Sequence, residues 1–172
     1  MKKLLPFLAL AFFAICHVHA EDTKFTVGEF SFKAEAPWAE SQNAGMMTSK
    51  VLDYPVKDGK PLEAKFYFFA GGGGGVEANL KRWIGQFEPT PEVKQDELTF
   101  GENKVILLTA SGTFLDGAPM SPNKTPRAGY TLLGAIVVGK EAPVFIKLTG
   151  PKADAEAAKD AFKKLVTSPF AK

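Results

Sequence analysis

Past residue 20 the chain contains neither cysteine nor histidine. The single Cys (Cys16) and both His (His17, His19) lie in the first 20 residues. No imidazole is therefore left to take a nucleophile's proton near neutral pH, as Ser-His-Asp and Cys-His enzymes require. Zinc, copper and non-haem iron sites lose their usual nitrogen and sulfur ligands. Thiol–disulfide exchange loses its sulfur pairs. Net charge is scarce too: the formal +2 of the whole chain is accounted for by Lys2 and Lys3, and the remainder is neutral. A neutral chain lacks the basic footprint of a nucleic-acid binder. No calcium loop of alternating acids ending in Glu occurs, and no cofactor motif emerges. Neither a cofactor nor a metal is expected.

What the first 20 residues do contain has a direction. Lys2-Lys3 precedes an apolar stretch from Leu4 to Ile15, interrupted by Pro6. Cys16-His17-Val18-His19-Ala20 then leads into Glu21-Asp22. Twelve apolar residues reach about 18 Å as a helix, short of the roughly 30 Å of a bilayer core. The pattern is that of a bacterial secretory signal peptide, cut between Ala20 and Glu21. Ile15 before Cys16 is not the small residue that a lipid-anchor site wants. The expectation is a 1–20 signal peptide and a single 21–172 domain, periplasmic or secreted. No later window is apolar for long enough to span a membrane.

The mature segment reads as short strands with two helices. Thr23 to Val27 and Phe30 to Ala34 flank Gly28-Glu29 as a hairpin. Met46 to Tyr54 and Leu62 to Phe69 are further strands. Gly71 to Gly75 then opens a helix from Val76 to Phe87, whose Val76, Leu80, Trp83, Ile84 and Phe87 fall within about a 100° arc. Strands follow at Glu97 to Phe100, Lys104 to Leu115, Tyr130 to Val138 and Val144 to Thr149. The second and third of these are apolar on both sides, as central strands are. Pro151 to Val166 closes as an amphipathic helix, with Ala155, Ala158, Ala161, Phe162, Leu165 and Val166 on one side. Hairpin-length connections predict an antiparallel sheet. The fold class is α+β, an antiparallel β-sheet flanked by helices on both faces. One segment interrupts compactness: Asp116 to Ala128, a connection of 13 residues with Pro119, Pro122 and Pro126.

The candidate binding residues come from three places, each with a plainer reading beside it. Gly71, Gly72, Gly73, Gly74 and Gly75 lie between strand and helix, where backbone amides can cradle an anion. The run lacks the Gly-Lys-Ser/Thr ending of a P-loop, and Glu77 would repel an anion, so a structural connection is the plainer reading. Trp38 follows Pro37, either exposed for binding or tucked under the sheet. The proline-rich segment carries Met120, Lys124 and Arg127, either a recognition arm or a surface spacer. Arg82 and Arg127 are suited to orient an acidic group. Asn123-Lys124-Thr125 is formally a glycosylation sequon.

The segments GGGGGVEANLKRWIGQF (Gly71 to Phe87) and GYTLLGAIVVGKEAPVFIKLTG (Gly129 to Gly150) resemble a group of exported bacterial proteins of unknown function. These share a glycine-rich segment, an Arg-Trp helix and a two-strand hairpin before the last helix. The element order also resembles the PsbP-like superfamily, which includes photosystem II extrinsic subunits and small bacterial envelope proteins. The resemblance implies an α/β/α sandwich, and members that are mostly accessory or binding proteins without a shared catalytic motif. The functional expectation is an exported, non-enzymatic binding or accessory protein of the bacterial envelope. Its partner would be an envelope protein or a small ligand, not nucleic acid. The alternative is a carboxylate-dependent hydrolase of envelope polysaccharide, drawing on acids such as Asp53, Asp96, Glu97, Glu102 and Asp116. A third reading is a structural protein whose sheet edge pairs with a partner strand.

Overall fold

A computed structural model of the chain describes residues 22–171 apart from 44, 46, 119 and 120. The expected leader and Met120 therefore lie outside the described residues. The elements run β1 (Thr23–Val27), β2 (Phe30–Ala34), β3 (Ala39–Glu40), β4 (Lys50–Tyr54), β5 (Leu62–Phe68), α1 (Gly75–Ile84), β6 (Glu92–Phe100), β7 (Asn103–Asp116), β8 (Thr125–Val138), β9 (Val144–Pro151) and α2 (Lys152–Thr167), with a last 3-10 turn at Ser168–Phe170. The class is α+β. β1 and β2 form a hairpin of their own; the other strands make one sheet in the order β3-β4-β5-β9-β8-β7-β6. Every neighbouring pair is antiparallel.

The alternation of side chains across the central strands separates two cores. Val105, Leu133, Ala135, Val137, Ile146 and Leu148 gather with Phe30 and Phe32 of the hairpin and with Ala155, Ala158, Phe162 and Leu165 of α2. Their sequence neighbours Ile106, Leu132, Ile136 and Phe145 gather instead with Leu80 and Trp83 of α1 and with Phe87. This division explains why β7 and β8 read as apolar on both sides. Both helical stripes legible in the sequence are the buried ones.

Gly134 on β8 sets how closely α1 lies on the sheet. A Cβ there would stand 2.6 Å from Trp83 Cζ3 and 2.7 Å from Cε3. With no side chain at 134 the indole settles onto the strand and meets Phe145 edge-on, ring centroids 6.5 Å apart at 88°. Such a pair contributes about 1 kcal/mol beyond its buried area.

Four sequence expectations are corrected. The 13-residue connection after Asp116 is shorter, because β8 begins at Thr125. Thr125 pairs with Asp116, Pro126 with Leu115 and Arg127 with Phe114. Pro126 therefore sits within a paired strand. β6 begins at Glu92, not Glu97, and β4 begins at Lys50, not Met46. α1 ends at Ile84, and the chain then turns so that Phe87 forms an isolated bridge with Phe114. Two hydrogen bonds hold this turn to the end of β7: Leu115 N–H to Gln86 O at 2.7 Å, and Glu88 N–H to Thr113 O at 3.0 Å.

Candidate functional site

The sheet surface beside α1 changes character from one side to the other. Towards β7 and β8 it is apolar and covered by Trp83 and Leu80. Towards β5 and β4 it becomes polar. Lys147 on β9 stands at the boundary, directly opposite Gly134 on β8 and Lys65 on β5. Two lysines in one cross-strand pair repel, which is unfavourable for the sheet.

Lys147 is mostly buried. Its Nζ donates to Gln86 Oε1 at 2.6 Å and lies 5.1 Å from the centroid of the Phe114 ring. Among the described residues it has no ion-pair partner. Burial, reinforced by the nearby charges of Lys65 and Arg82, pushes its ammonium down to about 8, against a smaller opposing pull from Asp116. The turn after α1 places Gln86, so this acceptor at Lys147 is fixed by the backbone bonds described above.

Around this cation lie further polar groups. Lys65 pairs with Glu63 at 2.7 Å, and Asn43 Nδ2 donates to the other oxygen of that carboxylate at 3.0 Å. Those two contacts, Lys65 first, hold the Glu63 carboxyl below its ordinary range. Tyr67, two residues beyond Lys65, is half-buried, and that burial pushes its phenol up. Thr149 Oγ1, two residues beyond Lys147, is buried and has no hydrogen-bond partner among the described residues, as is the case for Asp53 Oδ1 on β4 opposite Glu63. Asn43 also lines an open depression of about 350 Å³ bounded by β3 and β4. Chemically the assembly is a desolvated ammonium with a second lysine and an arginine near it, a phenol, and a free hydroxyl. It is fitted to receive an anionic oxygen group.

The residues singled out from the sequence fall into separate groups. Trp38 is only 6% exposed. Its Nε1–H donates to Ala161 O at 3.4 Å and its ring meets Tyr54 edge-on. Of its two readings, the tucked one is realised. Gly73, Gly75 and Arg82 are joined through Asn79, a residue the sequence reading passed over. Asn79 is fully buried, and its Nδ2 donates to Gly73 O at 2.8 Å and Gly75 O at 2.6 Å. Arg82 donates to its Oδ1. Gly72 to Gly75 all have positive φ (81°, 56°, 87° and 75°), a left-handed path open to glycine. Gly71 lies before it. Lys124 donates to backbone oxygens of Gly117 and Ala118 in its own turn, and Arg127 pairs with Asp116 at 3.4 Å. Arg82, held on Asn79, is near enough to Lys147 for its charge to disfavour the ammonium. Lys124 and Arg127 stay engaged on the β7–β8 hairpin.

Lys147, Lys65 and Gln86 were missed. The signal was present: in Val144 to Thr149 a lysine shares the strand face of Phe145, and in Leu62 to Phe68 Lys65 shares that of Tyr67. A charged residue in line with an inward aromatic is the anomaly to look for.

No known family's sequence profile matches the chain, and no curated protein matches it. Its fold has counterparts among solved structures. The solution structure of cyanobacterial PsbP (CyanoP) from Synechocystis sp. PCC 6803 is similar with a TM-score of 0.52 at 11% identity, over 95% of this chain and 97% of that one. The crystal structure of PA94 from Pseudomonas aeruginosa, a protein of unknown function, gives a TM-score of 0.45 at 15% identity over 86% and 94%.

Proposed function

We propose that this PsbP-like fold serves as an exported, non-catalytic binding domain of the bacterial envelope, and that it takes up a carboxylate or phosphate group at Lys147. The carrying observation is the buried ammonium that has Gln86 as its acceptor and no ion-pair partner among the described residues. A protein gains nothing in stability from such a group, so its presence is best understood through an anion that completes it. Lys65, Arg82 and Tyr67 supply the surrounding donors. We also read the two helices as covering opposite faces of the sheet, because successive residues of β7 and β8 alternate between the α2 core and the α1 core. On that reading the β5 end of the α1 face carries half-buried polar side chains, Glu63, Lys65 and Tyr67, beside Lys147.

The hydrolase alternative finds no specific observation in its favour. A glycosidase needs one carboxylic acid held protonated at working pH. The carboxyls with displaced protonation, Glu35 and Glu63, are both pushed down, Glu35 to about 2 by Lys164 and Lys33.

The binding proposal is tested by titrating isotope-labelled protein with inorganic phosphate and, separately, with succinate. Saturable shifts at Lys65, Gln86, Lys147 and Thr149 are expected; amides that do not move with either anion would remove the reading. Export rests on the leader sequence; among the described residues no helix is long and apolar enough to cross a membrane. Protein recovered from the envelope fraction of an expressing bacterium is expected to start at Glu21. Recovery of the uncut chain from the cytoplasm would count against export.

A further inference from the structure

β6 is the last strand of the sheet, hydrogen-bonded to β7 on one side only. Its first six residues, Glu92 to Glu97, are exposed. Val93 is 41% exposed, an unusual position for a large apolar side chain in this molecule. A nine-residue strand with a free edge is a template for another strand. Charges normally discourage that, and here they select instead.

We propose that β6 pairs with β6 of a second copy of this chain, antiparallel, about a twofold axis through Gln95. In an antiparallel pair related by a twofold axis normal to the sheet, directly opposed residues share a face, so the register moves in steps that keep a residue opposite itself. With Gln95 at the axis, Lys94 stands opposite the second copy's Asp96, and the reverse pair forms symmetrically. Moving the axis to Lys94 or to Asp96 puts like charges opposite each other. Neither side chain has an ion-pair partner in its own chain among the described residues, whereas Glu97 is already neutralised by Lys104 at 2.8 Å. Val93 would face the stem of Glu97 across the new pair.

The neighbouring surface agrees. Lys94 and Asp96 line an open groove of about 220 Å³ between α2 and the outer strands, with Leu107, Leu133 and Phe162 among its apolar lining. Joining two β6 strands makes one sheet of the two and extends that groove across the twofold axis. A closed, self-complementary contact of this kind ends at a dimer.

Sedimentation equilibrium at low salt tests the pairing on the purified protein, Lys94→Asp, Asp96→Lys and the double exchange. Both positions of change are exposed, and circular dichroism verifies that each variant is folded. A concentration-dependent dimer is expected for the parent. Each single reversal turns two attractive pairs into two repulsive ones and should weaken it at least about tenfold. The double exchange restores opposite charges in the same register and should return dimerisation to within a few-fold of the parent. A parent that stays monomeric, single variants that dimerise as the parent does, or a double exchange no better than the singles would each overturn the proposal.

Discussion

Replacing Lys147 with methionine is expected to make the protein more stable and to abolish its response to phosphate or succinate. Methionine keeps the length of the side chain against Phe114 and removes the charge. Gln86, half-exposed, can turn its amide to water. Relief of an uncompensated buried ammonium should raise unfolding stability by about 1–3 kcal/mol at neutral pH. The sign follows from proton binding. Below about pH 8 the lysine is protonated in both the folded and the unfolded chain, and the burial penalty is fully present. Between about 8 and 10.5 the folded chain has released the proton while the unfolded chain still holds it. The parent should therefore gain stability as pH rises through that window, and the methionine variant should not show this gain. Urea denaturation at pH 7, 8.5 and 10 measures both quantities. A variant that is less stable at pH 7, or one that still shifts with phosphate, would show that the ammonium is structural. The trade of stability for binding is what a site held open for an anion predicts.

The second large effect is expected at Asn79. Substitution with alanine removes the fully buried amide that donates to Gly73 O and Gly75 O. Losing two hydrogen bonds from a buried amide costs about 1–3 kcal/mol. The loss should be local at first: amide exchange in the 71–76 segment should accelerate more than in β8. Arg82→Ala provides the comparison, since Arg82 is exposed and its removal leaves the Asn79 amide donors in place; its effect should stay below about 1 kcal/mol. Equal losses from the two substitutions would show that the arginine, not the amide, holds the glycine segment.

How far these features were legible depends on whether the signal is periodic or spatial. The stripe from Ala155 to Val166 and the arc containing Leu80 and Trp83 are periodic, and both were readable. β7 and β8 were readable because burial on both sides leaves continuous apolar runs. The first half of β6 was not: Glu92 to Asp96 is exposed on both faces, so no alternation marks it as a strand. The start of β8 was hidden by Pro126 and Gly129, which read as loop, although Pro126 is accommodated opposite Leu115. The site was the least legible part. Lys65 and Lys147 become neighbours only because β9 lies beside β5, a pairing that skips α1, β6, β7 and β8. Asn79 carried no periodic signal at all, since one buried amide in a helix looks like any polar residue facing solvent. The left-handed glycine path was readable as glycine, but not as a structure pinned from beneath.

That path has a bearing on heredity. Four successive residues follow the mirror-image backbone, and the genetic code supplies one achiral amino acid for such positions. At Gly72 and Gly75 a methyl group would meet nothing within 4 Å, yet it would still strain the chain through handedness alone. Third-base changes in these codons are silent, and every missense change installs a stereocentre on a backbone whose handedness strains it.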